Sequence, residues 1–538
     1  MVRRIPRALV MSIAVMGSAA ALAEAPAPVP EAGASHPPGC ADLAGIVSRE
    51  LMQRPAALTP VPGHLHQKVS TGDADAQAYY DQGIAWLASY VWVEAARSLH
   101  EALRHDPELA MAHLMLAKAY AGAEAADDAR EHLKRASELA AGEKVTPKEA
   151  KWIALGVMQS EAVAAGGKER AGKHEAYKKA IDDLIKMDPD DPFAWILRGN
   201  AEEPGAWGRG QVGGVGSIAF YEAALRRDPD NLAAHHFLVH SYENIGRHEE
   251  ASEHGRIYAD AAPGVPHAQH MYGHVLPRLG QWQEALKRFG EADRLEREYY
   301  KAEGIGAEED WHHGHNLQLL GMVQLRLGND AEAERLFKEA FELPQRSRQR
   351  GGTNLMAWPE FLMLRGRFDE AARIGRELQA NDRPFDRFAG AVIASEALLA
   401  QGLVKESRDT RRRADKAYAD IRRAVRGTPY ESLTPSYLGP VVRMLDAQLA
   451  LHGGKGSDGG KDLLKIADDL AGNPRFDAWG EGLFRLERAA AEAVRAGQPK
   501  VAEQLVERMH RIDPDFVSAA IKTAPPPGAK TDATSGKR

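Results

Sequence analysis

Cysteine is almost missing from this chain: Cys40 is the only one in 538 residues. That excludes an internal disulfide, a thiolate metal site and a CxxC redox pair. Charge of one sign is not in large excess. A formal net charge of -7 is mild at this length and argues against a nucleic-acid binder or a membrane-surface protein. Beyond the N-terminus no apolar run is long enough to span a bilayer. Runs of β-branched residues are few and the apolar residues are mostly Ala and Leu, a balance that favours helices over sheets. No serine or cysteine is marked by its context as a nucleophile, so acyl-transfer chemistry of the Ser-His-Asp or Cys-His kind has no candidate.

The N-terminus has the layout of an export signal. Arg3, Arg4 and Arg7 form a basic segment, an apolar stretch of about 14 residues follows from Ala8 to Ala21, and Ala21-Leu22-Ala23 supplies a small-x-small cleavage pattern. Residues 1–23 are therefore expected to be removed and the mature chain to be periplasmic or secreted. Residues 24–75 read as a Pro/Ala-rich linker and variable N-terminal segment, and residues 524–538 as a disordered tail.

Between these ends the chain repeats itself. With Ala76 as position 1 of a unit, Gly83, Trp86, Ala95, Leu99, Ala102 and Pro107 occupy positions 8, 11, 20, 24, 27 and 32; adding 34 to the first five gives Ala117, Tyr120, Ala129, Leu133 and Ala136. Small residues recur where two helices must approach and large ones where they fill the gap. The register continues in units from Leu232, Pro266, Gly314 and Leu483, with weaker units near Gly352 and Phe388. This is similar to the tetratricopeptide repeat (TPR), a helix-turn-helix that buries its apolar face only against the next unit. The resemblance implies an all-α solenoid of helical hairpins, a right-handed superhelix, over residues 76–523. Insertions interrupt it near 204–216 and 452–460. The first of these contains Gly208-Arg-Gly210-Gln-Val-Gly213, a GxGxxG match. That motif cradles a pyrophosphate only between a strand and a helix, and here a helical pattern precedes it.

Eleven of the 21 histidines fall between His235 and His315, where even scattering would place roughly three. His236 and His240 take positions 5 and 9 of one unit, His270 and His274 the same positions of the next, and His267 and His315 position 2 of their units. Steps of three and four put these positions on one helical stripe, distinct from the packing stripe at 4, 7, 8 and 11. In TPR arrays that stripe faces the concave groove. Six imidazoles from three successive first helices are thus expected to share one space. Imidazoles one turn apart lie ~5–6 Å apart at Cβ, and helices packed at about 8–10 Å let two helices share a ligand sphere. Nitrogen donors without thiolate suit copper or zinc, and the excess over one ion's needs allows a two-metal site. Glu203, Glu243 and Glu360 are oxygen donors that could complete or orient it, as could Glu202 and Glu396.

The order His235-His236-x3-His240, Tyr242-Glu243, His267-x2-His270-Met271-x2-His274, His315-Asn316, with Asn200-Ala201-Glu202-Glu203 and Gly208-Arg209-Gly210-Gln211 before it, resembles a family of uncharacterised bacterial TPR proteins. The resemblance covers about a quarter of the chain and implies no established activity. That family carries a further histidine at the position of Gln318, so either His312 or His313 replaces it or one metal position is lost. His235, at packing position 4, is expected to be a hydrogen-bonded core residue, while His248 and His254 lie off the stripe on the solvent side. The leading reading is an exported TPR protein with a histidine metal centre in its groove and, with an open coordination position, metal-dependent chemistry. The alternative is an interaction scaffold whose groove holds a peptide or protein without metal, its imidazoles charging near pH 6.5.

Overall fold

Helix follows helix from Ala74 to Ile512, and no strand occurs among the described residues of the computed structural model, which are 47–205, 208–310, 312–344, 356–426, 433–452, 456–472 and 478–518. All of them belong to one compact unit, residues 35–538. The predicted export signal and the C-terminal tail lie outside the described residues. No described helix is long and apolar enough to cross a membrane.

The helices pair as antiparallel hairpins that stack in chain order, an α-solenoid of TPR-like architecture. The hairpins that matter for the site are Ala74–Ala88 with Trp92–His105, Leu232–Glu243 with His248–Ala261, Pro266–Val275 with Trp282–Glu303, and His313–Arg326 with Asp330–Glu342. Their register follows from side-chain size. A Cβ at Gly83 would lie 2.6 Å from Leu99, one at Gly273 3.1 Å from Phe289, and one at Gly321 2.8 Å from Phe337. Positions 8 and 24 of a unit therefore interlock, and Phe289 and Phe337 are almost wholly buried, each contributing about 1.5–3 kcal/mol by leaving water. Helix starts are set locally: Asp73, Asn231 and Asp191 cap the helices that follow them through their side chains, and Pro192, Pro266, Pro384 and Pro499 stand in first turns.

In eight of the hairpins the turn holds a left-handed residue at unit position 15. Gly246, Gly280, Gly328, Gly366, Gly402 and Gly497 fill it in the later hairpins, as expected where L side chains are disfavoured. In the first two hairpins Tyr90 (φ 58°) and Glu124 (φ 59°) take it instead.

Two segments differ from their sequence-based description. Residues 47–73 lie against the solenoid, with Leu51, Met52, Leu65 and Val69 buried. The Gln67 side chain accepts from Tyr80 Oη at 2.6 Å, and Ser70 N donates to Glu149 at 2.7 Å. The second insertion is partly helical, because the Gly456–Ala471 helix begins inside it. The Gly-rich first insertion connects the helix Pro192–Asn200 to the helix Val215–Leu225, with no strand among its described residues. Glu203 organises it, accepting from Arg209 N (2.8 Å) and Val212 N (2.9 Å), and Asn244 Nδ2 donates to the Gln211 and Gly213 carbonyls. Its glycines serve close packing. Gly210 has φ +93°, and a Cβ there would lie 2.2 Å from Phe237, so the loop presses directly on the helix that carries His236 and His240.

Candidate metal centre

Three helices bring the six predicted histidines together as two triads. In one, ring nitrogens of His236, His240 and His267 lie within 4.8 Å of one another; in the other, those of His270, His274 and His315 do. All six are buried, from 0% exposure at His236 and His270 to 9% at His274. The stripe therefore does not line an open groove, as the sequence reading had it. The first hairpin closes over the His236 triad, and Trp479, near the C-terminus, stacks on Phe289 behind His270.

The first triad is defined by one proton. His236 Nδ1 lies 2.7 Å from the Ala88 carbonyl, and a carbonyl only accepts, so Nδ1 carries the hydrogen and Nε2 the lone pair. Ala88 ends its helix, so its oxygen is one of the last-turn carbonyls left without a helical partner, at the negative end of the helix dipole. Facing His236 Nε2 are His240 Nε2 at 3.1 Å and His267 Nε2 at 3.0 Å. A single lone pair does not accept two linear hydrogen bonds, so hydrogen bonding leaves one of these contacts unexplained. Nitrogens bonded to one tetrahedral ion at ~2.0–2.1 Å would be about 3.3 Å apart, close to the observed spacing.

The second triad is oriented the same way. His274 Nδ1 donates to Glu243 Oε1 at 2.6 Å. His270 Nδ1 donates to Asn316 Oδ1 at 3.0 Å; the Asn316 amide is oriented by its own Nδ2 donating to the Phe289 carbonyl. This leaves His270 Nε2 buried without a hydrogen bond. A neutral imidazole held at Nδ1 by a carboxylate or carbonyl and presenting Nε2 inward is the arrangement that metal-ligating histidines need. Burial also keeps the rings neutral: it pushes His236 down to about 3, and His240, His267 and His270 well below the usual histidine range. Neutral rings do not have to lose a proton before they bind an ion.

The residues that the sequence left open now have places. His312 belongs to the cluster: its ring lies 4.4 Å from that of His270 and 5.1 Å from that of His267, and Nδ1 bonds the buried Glu296 carboxyl. His313 points away, to Asp293 Oδ1 at 2.7 Å. Gln318 donates to Glu481 at 2.7 Å. His235 is a hydrogen-bonded core residue, bonded to the Pro229 carbonyl (3.0 Å) and to His254 (2.8 Å). His248 and His254 are half-buried rather than exposed, because His254 also stacks on Tyr242. Glu243 orients His274. Glu203 and Glu202 serve the Gly-rich loop and Arg198, while Glu360 and Glu396 both bind Arg488 and have no part in the triads.

Tyr90, Tyr258 and Glu296 escaped the sequence reading, and Asn316 entered it only as the neighbour of His315 in the motif. Tyr258 stacks on His236 with centroids 4.8 Å apart and donates to Ser89 Oγ at 2.8 Å. Tyr90 packs on His236 (4.8 Å) and His267 (5.2 Å), and its hydroxyl donates to the Arg209 carbonyl at 2.7 Å. The one available signal was a tyrosine at the turn position that six later hairpins fill with glycine. A third group, Asp73, Asp75 and His105, is exposed, and Asp73 is already engaged as a helix cap.

No family model and no curated protein matches the chain. Solved structures similar to it include yeast Tom70 (12% identity, TM-score 0.37, covering 81% of this chain and 93% of that one). Another is PilW, described as a widely conserved type IV pilus biogenesis factor (15% identity, TM-score 0.26, 50% and 94%). A third is Pseudomonas aeruginosa pilF (17% identity, TM-score 0.29, 48% and 97%). Likeness at this level says nothing about a ligand.

Proposed function

We propose that this chain is an exported metalloprotein that holds transition-metal ions, copper or zinc, at two neighbouring trihistidine sites: His236, His240 and His267 in one, His270, His274 and His315 in the other. It would belong with the histidine-bearing bacterial TPR proteins whose motifs it shares. The observation that carries the reading is the meeting of three Nε2 atoms at the first triad, where the Ala88 carbonyl fixes the tautomer of His236 and two further ring nitrogens face its single lone pair. Three protein ligands per ion leave a coordination position for an outside molecule, so metal-dependent catalysis fits the arrangement.

The metal-free scaffold reading draws less support. A peptide groove lined by the stripe would need exposed imidazoles that charge near pH 6.5, whereas these are buried and held far below that range. Metal analysis of the exported, tag-free protein, beside a His236/His240/His270/His274 quadruple alanine variant, tests the proposal. Stoichiometric copper or zinc in the wild type and little in the variant is expected. Equal, sub-stoichiometric metal in both would sink it.

A further inference from the structure

We infer that the late repeats carry a peptide site apart from the histidine triads, a cavity that takes a lysine side chain of an extended polypeptide together with the peptide group beside it. This inference stands independently of the metal-binding reading, since no residue lining the cavity belongs to either triad.

The stripe that bears histidines in the middle repeats bears carboxylates here. Glu360 and Glu396 take position 9 of their units and Glu487 takes position 5 of the last one. Glu396 and Glu487 line a cavity of about 240 Å³ among the helices Ala357–Leu364, Pro384–Ala400, Leu433–Leu451 and Leu483–Arg495. That volume falls below the ~300–1,000 Å³ that encloses a whole small ligand, so the cavity fits one side chain of a larger molecule. Met363, Leu364 and Phe368 form its apolar wall, which suits a stem of methylene groups.

Charge selects the end of that stem. Glu492 also lines the cavity, and the two guanidinium groups there are already shared out. Arg488 binds Glu396 and, at 2.7 Å, Glu360, while Arg495 binds Glu492 at 2.6 Å. Arg485 comes no nearer to Glu360 than 4.0 Å and pairs with Glu481 at 3.5 Å. With Glu487, four buried carboxyl groups meet two guanidinium groups, one of them buried as well. Burial pushes Glu396 up even with Arg488 beside it, and the Glu360 charge adds to the push. An ammonium group entering the cavity offsets this excess of negative charge, whereas a neutral or anionic group does not.

Two further groups ask for a peptide rather than a free amine. Gln448, only 3% exposed, lines the cavity, and its side chain has no hydrogen bond to the described residues. Arg488 Nε is also buried without one. Buried polar groups are ordinarily paired. A side-chain amide offers donors and an acceptor together, the complement of a peptide C=O and N–H, and the Arg488 Nε hydrogen takes a carbonyl oxygen as well.

The test titrates the full-length mature protein by calorimetry with three probes: the blocked tripeptide acetyl-Ala-Lys-Ala-amide, the same peptide with norleucine in place of lysine, and butylamine. The lysyl peptide is expected to bind at least about tenfold more tightly than either of the others. Glu487→Gln should weaken it by about tenfold or more. Ala491→Leu, which fills the cavity without changing its charge, should abolish binding. Helical circular dichroism checks both variants, and if one loses helix the other carries the comparison. Equal binding of the norleucine peptide would overturn the ammonium assignment, and equal binding of butylamine would overturn the peptide assignment. The site itself falls if no probe binds at millimolar concentration, or if binding survives Ala491→Leu undiminished.

Discussion

Tyr90 lies edge-on to His236, ring centroids 4.8 Å apart, on a backbone held at φ 58°. A left-handed conformation costs an L residue roughly 1–2 kcal/mol, and six equivalent turns avoid that cost with glycine. The ring is what the first hairpin gains in return: it covers the His236 triad and is itself buried. Tyr90→Gly should relieve the turn yet lower stability, since deleting a buried aromatic ring costs about 3–5 kcal/mol. Tyr90→Phe should lose only about 1 kcal/mol with the bond to the Arg209 carbonyl. Urea denaturation of the two variants decides. A glycine variant as stable as the wild type would show that the ring does not hold the hairpin on the site.

Glu243 acts on the centre through His274 alone. Glu243→Gln keeps the shape of the side chain while removing the charge behind the Nδ1 hydrogen. Loss of such an orienting partner typically weakens metal affinity by about 10–100-fold. Competition with a chelator should therefore strip metal from this variant at lower chelator concentration than from the wild type, with helical content unchanged. Coincident titration curves would contradict the role given to Glu243.

Acid should loosen the early repeats. Burial pushes His100 and His113 down to about 4, with the neighbouring His132 charge adding to the effect. In the unfolded chain a histidine takes up its proton near 6.5. Between those values the unfolded state binds more protons, so the stability these residues contribute is complete above pH 6.5 and is lost as pH falls toward 4. A His100→Gln/His113→Gln variant should show a smaller drop in urea midpoint between about pH 7.5 and 5 than the wild type. An equal drop in both would assign the acid sensitivity elsewhere.

The later repeats hold a different buried charge cluster. Arg488 binds Glu360 at 2.7 Å and also Glu396, and all three are buried. Arg488→Met strands two carboxylates and should cost about 3–5 kcal/mol. Adding Glu360→Gln and Glu396→Gln should recover most of that loss, and none of these changes should alter metal content. A triple variant as unstable as Arg488→Met would mean that the arginine acts by packing rather than by charge.

Much of this protein was legible as a string of residues. The recurrence of Gly83 with Leu99 and of Gly273 with Phe289 at fixed spacing specifies a hairpin, because both partners belong to the same unit. The placement of His236 with His240 and of His270 with His274 on one stripe follows from the 3.6-residue turn alone. These are short-range consequences of helix geometry.

Tertiary packing decided the rest. His267 and His270 share a helix and a stripe, yet they join different triads, because one leans on the Leu232–Glu243 helix and the other on the His313–Arg326 helix. Whether the stripe faced water or was covered depended on Tyr90, which arrives from far away in the chain. The tautomer of His236 was set by a carbonyl 148 positions earlier. Periodicity places a side chain on a face of its own helix; what meets that face is fixed by how the helices stack, which no local spacing encodes.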